Sequence, residues 1–479
     1  EIYAAFAGQD PFQDGAEDAD NVARDTRGYG VDDDAGDMSR PAKKKTGSTK
    51  SLAASSDYIP LRHLFFPVSV CILVSALLDL RETDGSQLGD QCCYRSLKDV
   101  DEDLRLMLEY PEEYLTDADP TPRMFLKDDP KRRVYGRDAQ ASELMAALGR
   151  AFSTVGKPEM VFVKGYPGVG KSTLVQQMWP PLRDELGGGM ASAAFRPGTQ
   201  PISVIFSAFD SYFRQLWLFG DHRLEEARER IQCALGDKSA VLDELIPSLP
   251  LIMGPARSPS PMSVDSLGGA QVLQRIVHFL RILIQSIAGP AHPLILFLDD
   301  LQWADKATLD LLSQIMSIPD LSSFMFVGTY RENEVNDRHP VALEIERYKS
   351  EGFSVATIEV GNLDRTSINS LCSDSLHLVP RVTRPLADAI YRKTQGNSLF
   401  ALSLIKAIQD ENLLLYSASA RRWIWDIEAV RSRHIDNDVV ALLTRKMLKL
   451  DLNMQWLLKT ASCFGTEFDI ALLALLPSD

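Results

Sequence analysis

Short runs of apolar residues alternate with helical patterns over the middle of the chain, from about residue 130 to residue 362. The runs are continuous, as is typical of strands that are buried on both faces of a sheet. They predict strands at 160–164, 190–195, 294–299, 324–328 and 354–359. Strands that alternate with helices in this way predict an α/β fold, in which a parallel sheet is flanked by helices.

The segments on either side of this region have different patterns. Residues 1–57 have few large apolar side chains and are first acidic and then basic, which predicts a disordered linker. Residues 58–128 are predicted to form a small helical region. Residues 363–479 are predicted to be mostly helical, with one hairpin formed by 413–417 and 423–427.

The most apolar run of the chain, residues 64–78, is too short to be a membrane span. As a helix it would extend about 22 Å, whereas the core of a bilayer is about 30 Å thick. Proline is tolerated in the first turn of a helix but not in its interior. We therefore expect a buried helix that begins near Pro67 and no membrane span.

Composition narrows the class of protein only modestly. The 479 residues suffice for two or three domains, and a formal net charge of -15 makes nucleic acid an unexpected partner of the whole chain. The six cysteines are scattered without a C-x-x-C pair, which favours reduced thiols and neither disulfides nor a zinc site. We therefore expect a cytoplasmic location, with a nuclear one as the open alternative. Because the chain starts at Glu1 and ends after an unfinished apolar run, we expect it to be part of a longer polypeptide.

Residues 165–172, GYPGVGKS, fit the pattern G-x-x-x-x-G-K-[ST] of a loop that wraps nucleotide phosphates. In such a loop, glycines let backbone N–H groups converge on anionic oxygens, Lys171 neutralises the β- and γ-phosphates, and the Ser172 hydroxyl binds Mg²⁺. The alternative is a glycine-rich turn with a lysine by chance. The predicted nucleotide-binding positions of this segment are Gly165, Gly168, Gly170, Lys171, Ser172 and Thr173.

A phosphate loop also needs an acid at the end of a neighbouring buried strand. The apolar run 294–298 is followed by Asp299 and Asp300. Asp299 is placed to bind Mg²⁺ through water, and Asp300 is placed to orient or deprotonate an attacking water molecule. The alternative is an ordinary acidic turn at the end of a strand.

The next predicted strand is followed by Arg331. Because strand ends in such sheets face the ligand crevice, Arg331 is positioned to contact the γ-phosphate and to report its presence. The alternative is a surface arginine paired with Glu332 or Glu334. Lys171, Asp300 and Arg331 are the predicted catalytic residues.

Four segments of the chain carry a resemblance to one family. They are VYGRD at 134–138, LDDLQWAD at 298–305, GTYR at 328–331 and KTQGNSLF at 393–400. Together they resemble the AAA ATPase domain related to origin-recognition proteins, within the STAND group of signal-transduction ATPases. The resemblance covers about residues 130–475.

The resemblance implies a P-loop NTPase core over 129–362, a helical lid over 363–411 and the start of a winged-helix-like or helical arm over 412–479. It implies that ATP and Mg²⁺ bind between the sheet and the lid. The family commonly has proline where this chain has Ser398, which leaves open whether the lid contacts adenine. The positions implied near the adenine are Val134, Tyr135, Gly136 and Arg137.

The resemblance also implies partners. Domains of this group often sit beside kinase, histidine-kinase, cyclase or DNA-binding modules, so other modules of the same polypeptide are the implied partners. A nucleotide-dependent homo-oligomer stays open. Residues 1–12 faintly resemble the end of a protein-kinase C-lobe, with chance similarity as the alternative.

The first hypothesis for function is a signalling switch that binds Mg-ATP and hydrolyses it slowly. The alternative is a nucleic-acid-binding ATPase similar to origin-recognition proteins, which needs a basic face. A third hypothesis is a degenerate scaffold without turnover. Four intact residues argue against it: Lys171, Ser172, Asp299 and Asp300. The candidates for a basic face are Arg421, Arg422, Arg431, Arg433 and His434.

Overall fold

The computed structural model describes residues 61–77, 94, 96–116, 134–153, 157–198, 200–219, 222–254, 269–319, 321–418, 421–432, 447–448 and 450–463. The predictions for the linker 1–57 and for its kinase-like beginning lie outside the described residues. So do Arg433 and His434, and most of the predicted arm beyond them.

The centre of the fold is a parallel sheet of five strands in the order β2-β3-β4-β1-β5. Each strand lies where the sequence predicts one, and β4 continues beyond the prediction to Arg331. The predicted α/β fold with helices around a parallel sheet is therefore confirmed. The strands are β1 (Glu159–Gly165), β2 (Gly189–Ala194), β3 (Leu294–Asp299), β4 (Phe324–Arg331) and β5 (Ser354–Glu359).

Helices precede, separate and follow these strands along the chain. Those before and within the sheet region are α1 (Val68–Leu77), α2 (Leu97–Glu109), α3 (Pro111–Tyr114), α4 (Asp138–Ala151), α5 (Lys171–Gln176), α6 (Trp179–Asp184), α7 (Pro201–Phe219), α8 (His222–Leu235), α9 (Leu249–Met253), α10 (Gly269–Ile287), α11 (Lys306–Met316) and α12 (Pro340–Ser350). Those after it are α13 (Arg365–Leu376), α14 (Pro380–Thr394), α15 (Ser398–Asp410), α16 (Ile427–Ser432) and α17 (Leu452–Cys463). Short 3-10 helices span Leu61–Leu64, Gly236–Leu242 and Leu301–Trp303.

The sheet is buried on both faces, as the continuous apolar runs predict. Met160 and Phe162 of β1 belong to a core cluster that includes residues of α7, α8, α10, α11 and α12. Val161 and Val163 belong to a second cluster, which includes residues of α4 and α5. Because each of these four side chains is at most 1% exposed, each contributes about 1.5–3 kcal/mol of burial free energy.

The register of the sheet brings the candidate site residues to one edge. All neighbouring strands are parallel, so their carboxyl ends meet there. Gly165 at the end of β1 is opposite Arg331 at the end of β4. Leu298 of β3 is opposite Gly328 of β4, which places Asp299 and the rest of β4 at the same edge.

The described residues divide into two compact units. The first, which we call the core unit, contains the described parts of Val134–Leu363, Asn397–Phe400 and Asp436–Asp479. The second, which we call the helical unit, contains those of Glu1–Arg133, Asp364–Gly396 and Ala401–Ile435. The sheet and the phosphate loop belong to the core unit.

Within the helical unit, one arginine joins two helices that are far apart in sequence. Arg381 of α14 donates from Nε to Asp103 Oδ2 of α2 at 3.1 Å, and from Nη2 to the carbonyl oxygen of Asp99 at 3.2 Å. Tyr114 adds a hydrogen bond from its hydroxyl to Asp374 Oδ1 at 3.3 Å. Helices α2 and α3 therefore pack with α13 and α14 in one body.

The helical unit also contains the predicted hairpin and the most apolar helix. Strands β6 (Leu414–Ser417) and β7 (Arg422–Trp425) pair antiparallel. Helix α1 begins at Val68 and buries its first seven residues, as the prediction of a buried helix near Pro67 requires. Among the described residues, no helix combines the length and apolar character that crossing a bilayer requires.

Replacement of Arg381 by alanine tests the link between α2 and α14. The Asp103 side chain is only 7% exposed, so the variant leaves a buried carboxylate without its main partner. We expect Arg381→Ala to lower the free energy of unfolding by about 1–3 kcal/mol, measured by urea denaturation of the chain. Arg384→Ala, an exposed arginine on the same helix, is the control and should change it by less than about 0.5 kcal/mol. Equal stability of the two variants would contradict this assignment.

Candidate functional site

The loop between β1 and α5 has a shape that only glycine allows at its centre. Gly168 has a φ of 77°, in the left-handed region. A Cβ atom at this position would lie 2.8 Å from Asn397 Oδ1 and 2.9 Å from Leu399 Cβ. At Gly165, a Cβ atom would collide with the carbonyl oxygen of Val360. Close packing around the loop therefore requires two of the motif's glycines.

Lys171, the first residue of α5, is enclosed by its own loop. It is 7% exposed, and its Nζ donates to the carbonyl oxygens of Gly165 at 3.0 Å and Tyr166 at 2.9 Å. Burial lowers the pKa of Lys171, while the nearby carboxylates of Asp300 and Asp299 oppose that shift. The ammonium group is thus held at the loop by oxygen atoms that phosphate oxygens can replace.

A chain of hydroxyl groups connects the loop with the first acid. Ser172 Oγ donates to Asp299 Oδ2 at 2.6 Å, and the hydroxyl of Thr329 donates to Asp299 Oδ1. Thr329 is fully buried on β4, and its oxygen also accepts from the backbone N–H of Asp300 at 3.1 Å. Asp299 is therefore fixed between the helix that follows the loop and the neighbouring strand.

The second acid lies at the centre of a polar cluster. Asp300 has left-handed backbone angles, φ 58° and ψ 48°, and its Oδ1 accepts from Gln302 Nε2 at 2.8 Å and from Arg331 Nε at 3.2 Å. The backbone N–H of Arg331 donates to Gln302 Oε1 at 3.2 Å, so Gln302 holds both partners. Arg331 also donates to Glu334 Oε1 at 2.9 Å.

The contacts of Arg331 fit both interpretations of the sequence, the sensor at the strand edge and the surface arginine paired with a glutamate. It pairs with Glu334, as the surface-arginine alternative proposes, and it also pairs with Asp300 at the strand edge. Glu332 pairs instead with Lys164. Burial alone would lower the pKa of Arg331, but the hydrogen bond to Glu334 and the charge of Asp300 outweigh it and raise that pKa.

The segment before α4 is tied to the back of the loop. Arg137 is 5% exposed, and its Nη2 donates to the carbonyl oxygens of Val169 at 3.1 Å and Gly361 at 2.5 Å. Val134 and Tyr135 are half-buried and Gly136 is exposed. The side chain of Arg137 thus supports the phosphate loop, and adenine contact by this segment stays a prediction.

Residues 397–399 form a second support of the loop. Asn397 Nδ2 donates to the carbonyl oxygen of Pro167 at 2.9 Å, and the Leu399 N–H donates to that of Gly168 at 3.0 Å. Ser398, which stands where the family commonly has proline, donates from Oγ to the carbonyl oxygen of Val169 at 3.1 Å. The hydroxyl of Ser398 thus makes a hydrogen bond to the loop that proline cannot make.

Most of the predicted site residues meet at this edge of the sheet. The Lys171 ammonium, the Ser172–Asp299 pair and the Asp300–Arg331 pair lie at the ends of three adjacent strands. Thr173 follows in α5 and is half-buried. A cation, a hydroxyl, two carboxylates and a guanidinium in one cluster are the groups that phosphate and Mg²⁺ require.

Comparison with known proteins agrees with this geometry. Residues 133–327 match the AAA ATPase domain family. This segment is an AAA ATPase domain. The expected AAA ATPase domain is thereby confirmed for residues 133–327, which contain the phosphate loop and both acids.

The chain is also similar to longer or more distant proteins. It is 23% identical over 404 residues to hybrid signal transduction histidine kinase G of Dictyostelium discoideum, a match that covers 71% of this chain and 11% of that protein. The Aeropyrum pernix ORC2 protein, solved in ADPNP–ADP complexes, is 15% identical, with a TM-score of 0.40 over 74% of this chain and 82% of that one. A Walker-type ATPase of Pyrococcus abyssi is 11% identical, with a TM-score of 0.37 over 75% and 91%.

Three polar residues of the site were not given roles from the sequence. The sequence could have pointed to Thr329, because it is a hydroxyl residue at the end of a predicted buried strand. Its contact with Asp299 is seen only in the folded sheet. Gln302 lies two positions after Asp300 in the sequence. Its contact with the backbone of Arg331 depends on the pairing of β3 with β4. Asn397 is more than 200 residues from the loop, so its contact depends on tertiary structure alone.

Substitution of Gly168 by alanine tests whether close packing shapes the loop. A left-handed φ costs a residue with a Cβ about 1–2 kcal/mol, and the contacts with Asn397 and Leu399 add to that cost. We expect Gly168→Ala to lower the melting temperature more than Gly198→Ala does. Gly198 also has a positive φ, 85°, but nothing lies within 4 Å of the position of its Cβ. Equal shifts for the two variants would show that packing plays no part.

Proposed function

We propose that this chain is the ATP-binding module of a signalling switch of the STAND type within a larger protein. In this proposal it binds Mg-ATP at the loop 165–172 and hydrolyses it slowly. The observation that supports it most is the cluster of Lys171, Asp299, Asp300 and Arg331 at the ends of adjacent strands.

The residues present fit ATP and Mg²⁺. The Lys171 ammonium already lies away from water, so phosphate oxygens gain its charge without the full cost of removing it from solvent. Mg²⁺ is usually held by one or two carboxylates together with substrate phosphates, and Asp299 with the Ser172 hydroxyl supplies the protein's share. When bound, Mg²⁺ would offset the negative charge of the phosphate groups.

Slow hydrolysis follows from how Asp300 is held. The carboxylate of Asp300 accepts from both Gln302 and Arg331, so its oxygen atoms are held in one orientation and are engaged by the guanidinium. We propose that Asp300 orients the attacking water once Arg331 has moved from this carboxylate to the γ-phosphate. In this proposal hydrolysis is slow because bound ATP must first draw Arg331 away from Asp300.

The switch itself requires different contacts with ATP and with ADP. Arg331 supplies them, because its guanidinium lies at the strand edge and is held by Asp300 and Glu334. In our proposal the γ-phosphate competes with Asp300 for this guanidinium. ADP lacks that phosphate, so it leaves the Asp300 pair in place.

The signal leaves the site through residues 397–399. Their three hydrogen bonds to loop carbonyl groups follow any change in the loop, and they are continuous in the chain with α14 and α15. Within the helical unit, Arg381 ties α14 to α2. We propose that α2 moves together with α14 and passes the nucleotide state to other modules of the polypeptide, such as a kinase.

The chain's basic residues do not favour nucleic acid as a ligand. Arg422 is only 5% exposed, and Arg431 pairs with Glu428 at 2.7 Å. The formal net charge of -15 opposes a polyanion as well. The nucleic-acid alternative therefore gains no support from the described residues.

The alanine variant of Lys171 tests nucleotide binding. Removal of a charged partner of phosphate costs about 1.5–3 kcal/mol, so Lys171→Ala should weaken ATP binding by about 10- to 100-fold. Binding of a fluorescent ATP analogue measures the effect. Lys157→Ala, at an exposed lysine before β1, should leave the affinity within about twofold of wild type. Equal ATP affinity of Lys171→Ala and Lys157→Ala would rule out ATP binding at this loop.

The alanine variant of Arg331 tests the switch. If Arg331 contacts the γ-phosphate, wild type should bind ATP about tenfold more tightly than ADP, and Arg331→Ala should bind the two about equally. Isothermal titration calorimetry gives both affinities. The control is Arg338→Ala, at an exposed arginine after β4, which should keep the wild-type preference. An unchanged preference in Arg331→Ala would exclude Arg331 as the sensor.

A further inference from the structure

A basic cavity lies in the core unit at the opposite end of the sheet from the phosphate loop. It has a volume of about 270 Å³ and opens beside Gly189, the first residue of β2, and His292, which precedes β3. Asp299 ends β3 at the other edge, about 17 Å away at the usual rise of a strand. The cavity is therefore separate from the candidate nucleotide site.

Arginines from two helices line this cavity. Arg183 belongs to α6, and Arg223 and Arg230 belong to α8. Asp184 is the one acidic residue of the lining, and it pairs with Arg183 at 2.7 Å. Arg230 donates from Nε to the carbonyl oxygen of Glu226 and forms no ion pair among the described residues. The lining thus has more positive than negative charge, although the whole chain is acidic.

Aromatic rings form the walls of the cavity. Tyr212 is 6% exposed and packs directly on the Gly189 backbone, where a Cβ atom would collide with its ring. Burial raises the pKa of Tyr212 to about 12, against the opposing charges of Arg230 and Arg223. Trp179 is half-buried on the α6 side. The arginines therefore lie close to flat apolar surfaces, an arrangement that suits a planar anion.

One lining residue has an unused hydrogen-bond acceptor. The Oε1 atom of Gln215 is buried and accepts no hydrogen bond from the described residues. A buried amide oxygen without a donor is costly, so a donor group on a ligand would be favourable here. Neither α7, which carries Gln215, nor the arginines of α8 take part in the proposed nucleotide site.

We propose that this cavity binds a small aromatic oxyanion, with its carboxylate or phosphate on Arg223 and Arg230 and its ring between Trp179 and Tyr212. Guanidinium groups bind both oxyanions through paired hydrogen bonds. A hydroxyl on the ring would donate to Gln215 Oε1. The site is independent of the proposed nucleotide function.

Calorimetric titration of the full chain with four probes tests the proposal and separates the two oxyanions. The probes are 4-hydroxybenzoate, benzoate, phenyl phosphate and phenol. At least one of the anions should bind with a stoichiometry of one, and phenol about tenfold more weakly or not at all. 4-Hydroxybenzoate should bind more tightly than benzoate, and Gln215→Leu should remove that difference. Absence of binding by all three anions overturns the proposal.

Variants locate the binding. Arg230→Gln should lower the affinity for the anion by about tenfold, and Arg230→Lys should lower it less, because a lysine keeps the charge. Arg214→Gln is the matched control, at an exposed arginine of α7 that pairs with Asp210, and it should leave the affinity unchanged. Lys171→Ala should also leave it unchanged, which separates this site from the phosphate loop. Equal affinity of wild type and Arg230→Gln, with both folded by circular dichroism, would overturn the assignment.

Discussion

The structure depends on surrounding one buried cation, the ammonium group of Lys171, with oxygen atoms at the carboxyl edge of the sheet. Lys171 is almost fully enclosed, and an ammonium group in such a place is tolerated only when acceptors surround it. Its loop supplies two carbonyl oxygens, and the end of β3 and the residue after it supply carboxylates nearby. The parallel sheet, the tight loop and the buried support of Arg137 all hold these oxygens in place.

The same requirement explains why the cluster suits a switch. Its charges are already paired with one another: Ser172 with Asp299, and Arg331 with Asp300. A ligand that brings phosphate and Mg²⁺ exchanges these internal partners for new ones at little cost in desolvation. Two alternative sets of partners for the same groups are what a two-state element needs. The hydrogen bonds from 397–399 join a third segment to the phosphate loop, and in our proposal this segment responds to the exchange.

Local patterns predicted the strands well and brought the candidate site residues to attention, because these signals lie within a few positions of each other, while the roles of those residues stay predictions. The five apolar runs, the glycine-lysine loop and the Asp299–Asp300 pair are of this kind. The strand order, the fixing of Asp299 by Thr329 and the joint contacts of Gln302 depend on which strands become neighbours. The contacts of Arg381 could not be predicted from local patterns either, since its acidic partners on α2 are almost 300 positions away in the chain. Such contacts arise from tertiary structure, which no local period encodes.

The most direct measurement is a pair of experimental structures, one with Mg²⁺ and a non-hydrolysable ATP analogue and one with ADP. We expect the analogue's phosphates inside the loop 165–172, Mg²⁺ near Ser172 and Asp299, and the Arg331 guanidinium moved from Asp300 towards the γ-phosphate. With ADP, the guanidinium should remain on Asp300. An analogue bound elsewhere, with Lys171 still on the carbonyl oxygens of its own loop and Arg331 unmoved, would contradict both ATP binding at this loop and the sensor role of Arg331.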